Sequence, residues 1–152
     1  MLLFIPLDAG ELAAWTRNGT HHPRAAFAVT GSLRAAFGFG DGDDEDAEHT
    51  VLHIAGLDSL LRTGRRLVAV VDGSAEPVPG AEFGDVRAGE LPWAGVTALF
   101  ADSAPGAAGA VQPRLTGRSL EQAWEDPVVE EFLQGHELLW HGPSEWDTLT
   151  TR

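Results

Sequence analysis

The sequence contains no cysteine and no tyrosine. Without cysteine there is no disulfide, no thiolate metal ligand and no thiol nucleophile. Lysine is missing too: the 10 basic residues are all arginine, set against 23 acids, for a formal net charge of −13. A surface of that sign repels phosphate backbones and anionic lipid, so neither nucleic acid nor a membrane is expected as a partner. The lack of lysine beside abundant alanine and glycine follows GC-rich codon usage and carries no functional signal. No apolar run approaches the roughly 20 residues that span a bilayer. The opening Met1-Leu2-Leu3-Phe4-Ile5-Pro6 is too short for a signal-peptide core and has no basic region before it. A cytoplasmic location is the expectation. The Gly-x-Ser-x-Gly elbow of serine hydrolases is also missing.

What is present suffices for one domain spanning residues 1–152: the chain is 43% hydrophobic, enough to bury a core. Leu2 to Leu7 reads as a strand. Asp8 and Glu11 form a capping-box pattern that opens a helix, and Asn18-Gly19 closes it. Ala26 to Thr30 reads as a short strand, Ser32 to Phe37 as a short helix, and roughly Asp46 to Thr63 as a long one ended by Gly64. Leu67-Val68-Ala69-Val70-Val71 is apolar at every position, the mark of a central strand covered on both faces. Residues 73–92, rich in proline and glycine, form a long connection with an edge strand near Asp85 to Ala88. Val96 to Ala101 is a further strand. Ser103 to Gly117 holds at most one helical turn. Ser119 with Gln122, and Asp126 with Pro127, open two more helices. His136 to Trp140 reads as a last strand, and Pro143-Ser144 opens a short terminal helix. Strand and helix alternate, which favours an α/β fold with a mostly parallel or mixed sheet of four or five strands and helices on both faces.

Several of these segments together resemble a known pattern: Ala26-Phe27-Ala28-Val29-Thr30 with Leu33-Arg34, the acidic glycine-rich loop, Arg65-Arg66-Leu67-Val68, and His136-Glu137-Leu138-Leu139-Trp140 with Pro143. The chain resembles an uncharacterised family of small acidic actinobacterial proteins, a domain of unknown function, over nearly its whole length. His141-Gly142 departs from the Tyr-Ala expected before that proline. The resemblance implies a bacterial cytosolic protein and carries over no activity, cofactor or site.

Four sets of residues can carry chemistry. The segment Gly38 to Glu48 packs six acids between Asp41 and Glu48. It fails as a calcium loop, because the sixth and twelfth positions from Asp41 are Asp46 and Leu52 rather than Gly and Glu. Asp43, Asp44, Glu45 and Asp46 instead suit docking to a basic face. Glu45, His49 and His53 stand four apart and share one helix face, where two imidazoles can hold zinc. Thr50 occupies the position a metalloprotease gives to glutamate, and the helical wheel puts both histidines opposite the core side, so no metal is assigned. His21-His22 are a more distant source of ligands. Asp72 and Asp102 each follow an apolar strand, where carboxylates at the ends of parallel strands can hold Mg²⁺ beside a phosphate. Asp58 falls on the apolar side of its helix, unless Gly56 breaks the helix and either turns it outward or leaves it to cap the second half. Arg62, Arg65 and Arg66 form the one basic cluster and balance nearby acids. Trp124, Trp140 and Trp146 crowd the last third, as core or as contact surface.

No coherent catalytic set emerges and no cofactor is expected. The sequence leaves the function open between two classes. The first is a cytosolic, non-enzymatic binding or regulatory protein working through protein–protein contacts with a basic partner. The second is a metal-dependent phosphoryl-transfer or hydrolytic enzyme using Asp72 and Asp102.

Overall fold

The computed structural model describes residues 1–103 and 106–151. In chain order the elements are β1 (Leu2–Pro6), α1 (Ala9–Asn18), β2 (Thr20–His21), α2 (Gly31–Phe37), α3 (Asp44–Thr63), β3 (Leu67–Asp72), β4 (Glu76–Pro77), β5 (Val86–Arg87), β6 (Leu91–Pro92), β7 (Val96–Ala101), α4 (Leu120–Glu125), α5 (Pro127–Gly135), β8 (Leu139–His141) and α6 (Trp146–Thr150). The helix ends follow local chemistry. Asp8 accepts from the Glu11 amide at 2.6 Å while the Glu11 carboxylate accepts from the Asp8 amide at 3.0 Å. Gly19, Gly38 and Gly64 close α1, α2 and α3 in the left-handed conformation. The turn expected within Ser103 to Gly117 is a 3-10 turn at Gln112–Arg114. Residues 104 and 105 of that segment lie outside the described residues.

The main sheet runs β1-β3-β7-β8, with the two smaller ribbons β2-β6 and β4-β5 beside it. β3 lies inside the sheet, as its unbroken apolar run implies. Every pairing is antiparallel, however, so the expected parallel or mixed sheet is corrected. The physical reason is that apolar content reports burial and not direction. An inner antiparallel strand with helices on both faces is as uniformly apolar as a parallel one. The link from β3 to β7 is also not a helical crossover but an extended arm carrying β4, β5 and β6.

Alternation divides the core. Leu3, Ile5, Leu67, Ala69, Val71, Leu99 and Ala101 face Leu12 and Trp15 of α1 and Leu149 of α6. Phe4, Val68, Val70 and Ala98 face α2 and α3 through Leu33, Val51, Ile54 and Ala55. The register keeps this alternation across a bulge: Val70 opposes Ala98, Val71 opposes Val96, and Thr97 is the extra residue, its hydroxyl donating to the Val70 carbonyl at 3.3 Å. Ser59 ties α3 to the sheet. Its buried hydroxyl lies 2.9 Å from the carbonyls of Leu7 and Arg65 and accepts from the Leu67 amide at 3.1 Å.

The two sheet edges are treated differently. Beside β1, Phe27 exchanges main-chain hydrogen bonds with Phe4 at 2.8 and 3.0 Å, and Ala28 donates to the Gly84 carbonyl at 2.9 Å. The expected strand over Ala26 to Thr30 is thereby reduced to isolated bridges at Phe27 that cover the edge. Gly84 is required there: its φ is +82°, and a Cβ would lie 2.3 Å from the Ala28 carbonyl oxygen. At the opposite edge, among the described residues, β8 has no strand beyond it, and Leu139, Trp140 and His141 make no main-chain hydrogen bond outside the β7 ladder.

Candidate functional site

The antiparallel sheet separates the two carboxylates singled out as catalytic candidates. Leu67 pairs with Ala101 and Val71 with Val96, so Asp72 and Asp102 emerge at opposite ends of the sheet. Asp72 is 73% exposed beside the N-terminal ammonium, 3.5 Å away. Asp102 is 5% exposed and pairs with Arg66, itself 1% exposed. One Asp102 oxygen accepts from Arg66 Nε at 2.7 Å and the other from the Arg66 main-chain amide at 2.9 Å. The guanidinium also lies 4.8 Å from the Phe132 ring centroid and donates to the His136 carbonyl at 2.5 Å. Both carboxylate oxygens of Asp102 are thus engaged by Arg66, holding the end of β3 to the end of β7, and Arg66 extends the contact to α5. The signal was present in the sequence, as Arg66 before one apolar strand and Asp102 after another. Only the antiparallel register makes them cross-strand neighbours.

Gly56 belongs to the same arrangement. The helix runs through it unbroken, and a Cβ there would sit 3.2 Å from Leu138 Cδ1 and 3.5 Å from Arg66 Cδ. Gly56 therefore lets Arg66 and Leu138 approach α3 rather than breaking it. Asp58 remains half-buried, paired with Arg62 at 3.1 Å across one helical turn. Burial raises its pKa, and the Arg62 charge pulls the other way.

The acidic segment is partly helix. Asp44, Glu45 and Asp46 form the first turn of α3, where they meet the positive end of its dipole. Asp43 precedes it, and its carboxylate accepts from the Gly40 amide at 2.7 Å. Arg34 of α2 spans the loop, donating to the Gly40 carbonyl at 2.8 Å and pairing with Asp44. Arg34, Asp44 and Glu48 line one shallow cavity with Met1, Leu2 and Phe4, which puts the acids by the β1 edge, across the sheet from β8.

The histidine pair departs from the wheel reading. α4 and α5 cover part of the face the wheel leaves to solvent, so His53 is half-buried while His49 is exposed. Their Nε2 atoms are 3.0 Å apart and the rings meet edge to face. Both line a groove of about 400 Å³ with Thr50, Trp124, Glu130, Leu133, Gln134 and Glu137. The groove lies beside the apolar cluster that joins Leu57 and Leu60 of α3 with Val129, Phe132 and Leu133 of α5. Trp124 closes one end, held between Phe37 and Phe83 at ring separations of 5.9 Å. Burial, then the His49 and Arg66 charges, push the His53 pKa down to about 4, so its ring is neutral at pH 7. No group of three or more histidine or acidic side chains disposed to hold a metal occurs among the described residues. His21 packs against Trp15 on the α1 side of the sheet and is not brought to this groove.

β8 carries two exposed large apolar side chains. Trp140 is 61% exposed and Leu139 47% exposed. Trp140 opposes Phe100, itself only partly covered, on the sheet face that carries α3. Glu137, Glu145 and Asp147 flank the strand in sequence, and Glu145 lies 3.7 Å from His141 Nδ1. The crowding of tryptophans in the last third was legible. That Trp140 alone of the three stands out of the core was not.

Fold and site together define a small α/β protein: a four-stranded antiparallel sheet between helical layers, with one open edge and a histidine-lined groove. The chain belongs to a family of unknown function, DUF6912, whose model matches residues 1–150. Comparison with curated proteins and with solved structures finds no match. Among the described residues no helix is long and apolar enough to cross a membrane.

Proposed function

We propose that this is a non-enzymatic binding or regulatory protein of the bacterial cytoplasm that acts through protein–protein contacts. Its partner offers an extended, basic segment to the free edge of β8. The observation that carries this reading is the open edge beside Trp140, 61% exposed, in a fold that covers its other edge. Unpaired strand edges are normally blocked, and an extended peptide that adds to one gains main-chain hydrogen bonds along its length. Tryptophan beside such an edge supplies a large rigid anchor.

The charge argues for a basic occupant over a second copy, since each copy carries −13. Glu137, Glu145 and Asp147 supply local complementarity. The acids Asp43, Asp44, Glu45 and Asp46 stand at the other side of the sheet, and in this reading they raise the encounter rate rather than touch the bound segment. The enzymatic alternative on Asp72 and Asp102 gains no support, because the two carboxylates lie at opposite ends and one is consumed by Arg66.

A display library of extended peptides, selected against the full chain, tests the proposal. The selected sequences should be rich in Arg, Lys and β-branched residues, and Trp140→Ser should abolish their binding. Binding should weaken with salt, because exposed charges are screened beyond ~8 Å at physiological ionic strength. Selection of neutral sequences, or binding indifferent to Trp140→Ser, overturns it. So does a dimer in sedimentation that Trp140→Ser dissolves, which would make a second copy the occupant.

A further inference from the structure

We propose that His49 and His53 form a transition-metal site that takes Zn²⁺, Ni²⁺ or Cu²⁺ through their Nε2 atoms, open to the groove between α3 and α5. The inference is independent of the β8 edge. The two residues stand one turn apart on α3, and their Nε2 atoms converge to 3.0 Å with the rings at 77° to each other. Two imidazoles on one tetrahedral ion, each bonded at about 2.0–2.1 Å, hold their nitrogens roughly 3.3–3.4 Å apart. The nitrogens therefore have to part by only a few tenths of an ångström, with the rings turning so that both Nε2 lone pairs face the ion, and the exposed ring of His49 is free to turn.

The two rings do not need to be gathered from separate elements. The helix backbone fixes their spacing, and packing under α4 and α5 holds His53. Imidazole nitrogens favour Zn²⁺, Ni²⁺ and Cu²⁺, whereas Mg²⁺ and Ca²⁺ prefer oxygen. Beyond the pair lies a cavity of about 400 Å³ whose far wall carries Glu130 and Glu137. No third side chain stands within ligand reach among the described residues, so the remaining positions go to water or to an incoming donor. The competing account of the 3.0 Å approach is a single N–H···N hydrogen bond, which needs no ion.

The test uses the full chain without an affinity tag. Zinc chloride is titrated calorimetrically against the wild type, His49→Gln, His53→Gln and, as a control, His22→Gln. His49 is exposed, so His49→Gln leaves the fold intact even if His53→Gln perturbs packing. The expected result is one saturable Zn²⁺ site, unaffected by excess Mg²⁺ and by His22→Gln, and weakened more than ~10-fold by His49→Gln. Cu²⁺ in its place should give an electron paramagnetic resonance spectrum with coupling to two nitrogens. No saturable Zn²⁺ binding, binding unchanged in His49→Gln, or copper coordinated by oxygen alone overturns the proposal.

Discussion

Replacing Asp102 with asparagine keeps the side chain's volume and removes its charge. The Arg66 guanidinium, 1% exposed, is then left buried without its counter-ion. Breaking a buried pair from one side typically costs ~3–5 kcal/mol. The low end applies here. An amide oxygen can still accept one of the two bonds now made at 2.7 and 2.9 Å, and Arg66 keeps the His136 carbonyl and the Phe132 face. About 3 kcal/mol, at ~2–4 °C per kcal/mol for a chain of this size, lowers Tm by roughly 6–12 °C. Urea unfolding followed by tryptophan fluorescence measures it. Asp72→Asn is the companion variant and should stay within ~0.5 kcal/mol, because that side chain is 73% exposed. Removing both partners, as Arg66→Met with Asp102→Leu, should restore most of the loss, since the apolar replacement strands no charge. If Asp102→Asn is as stable as the wild type, the clamp does not hold the sheet end, and a catalytic role for Asp102 returns.

Two further outcomes follow from the same reasoning. Ser59→Ala should cost ~2 kcal/mol, because it strands the Leu67 amide and removes the hydroxyl donor beside the Leu7 carbonyl, while the Arg65 carbonyl keeps the Thr63 hydroxyl; equilibrium unfolding reads it directly. Asp126 caps α5 through the Val128 amide at 2.9 Å and pairs with Arg114 and Arg118. Burial raises its pKa, but the Val128 amide and Arg114 outweigh burial and hold it below the ordinary 3.8. Its contribution to stability is therefore present above the unfolded value and lost as pH falls through the folded one. The advantage of the wild type over Asp126→Asn should be full at pH 7, begin to fall only as pH drops toward 3.8, and vanish below the lower folded value, in urea midpoints measured against pH.

Much of the fold was legible in local sequence. The capping boxes at Asp8 and Ser119, the proline after Asp126 and the closing glycines of α1 and α3 all act within one helical turn, so the sequence alone locates them. The run Leu67 to Val71 revealed an inner strand because burial on both faces leaves no polar position. Strand direction was not legible, because it depends on how distant segments pair. That one error hid the Arg66–Asp102 pair and made Asp72 and Asp102 look like partners. The half-burial of His53 was missed for a similar reason: a wheel shows which residues share a face, not that α4 and α5 cover that face from some 70 positions downstream. The exposure of Trp140 likewise follows from β8 being the last strand in the sheet order, a property of topology rather than of residues 136–141.

The account's central claim is that β8 is the docking edge, and hydrogen exchange tests it most directly. The full chain is compared alone and with a basic extended peptide obtained by selection. The account predicts that the amide of Trp140, which points away from β7, becomes protected on binding, while those of Leu139 and His141, already bonded to β7, and those of Phe4 and Phe27 at the covered edge change little. Protection confined to the first turn of α3 or to the groove between α3 and α5, with β8 unchanged, would contradict it.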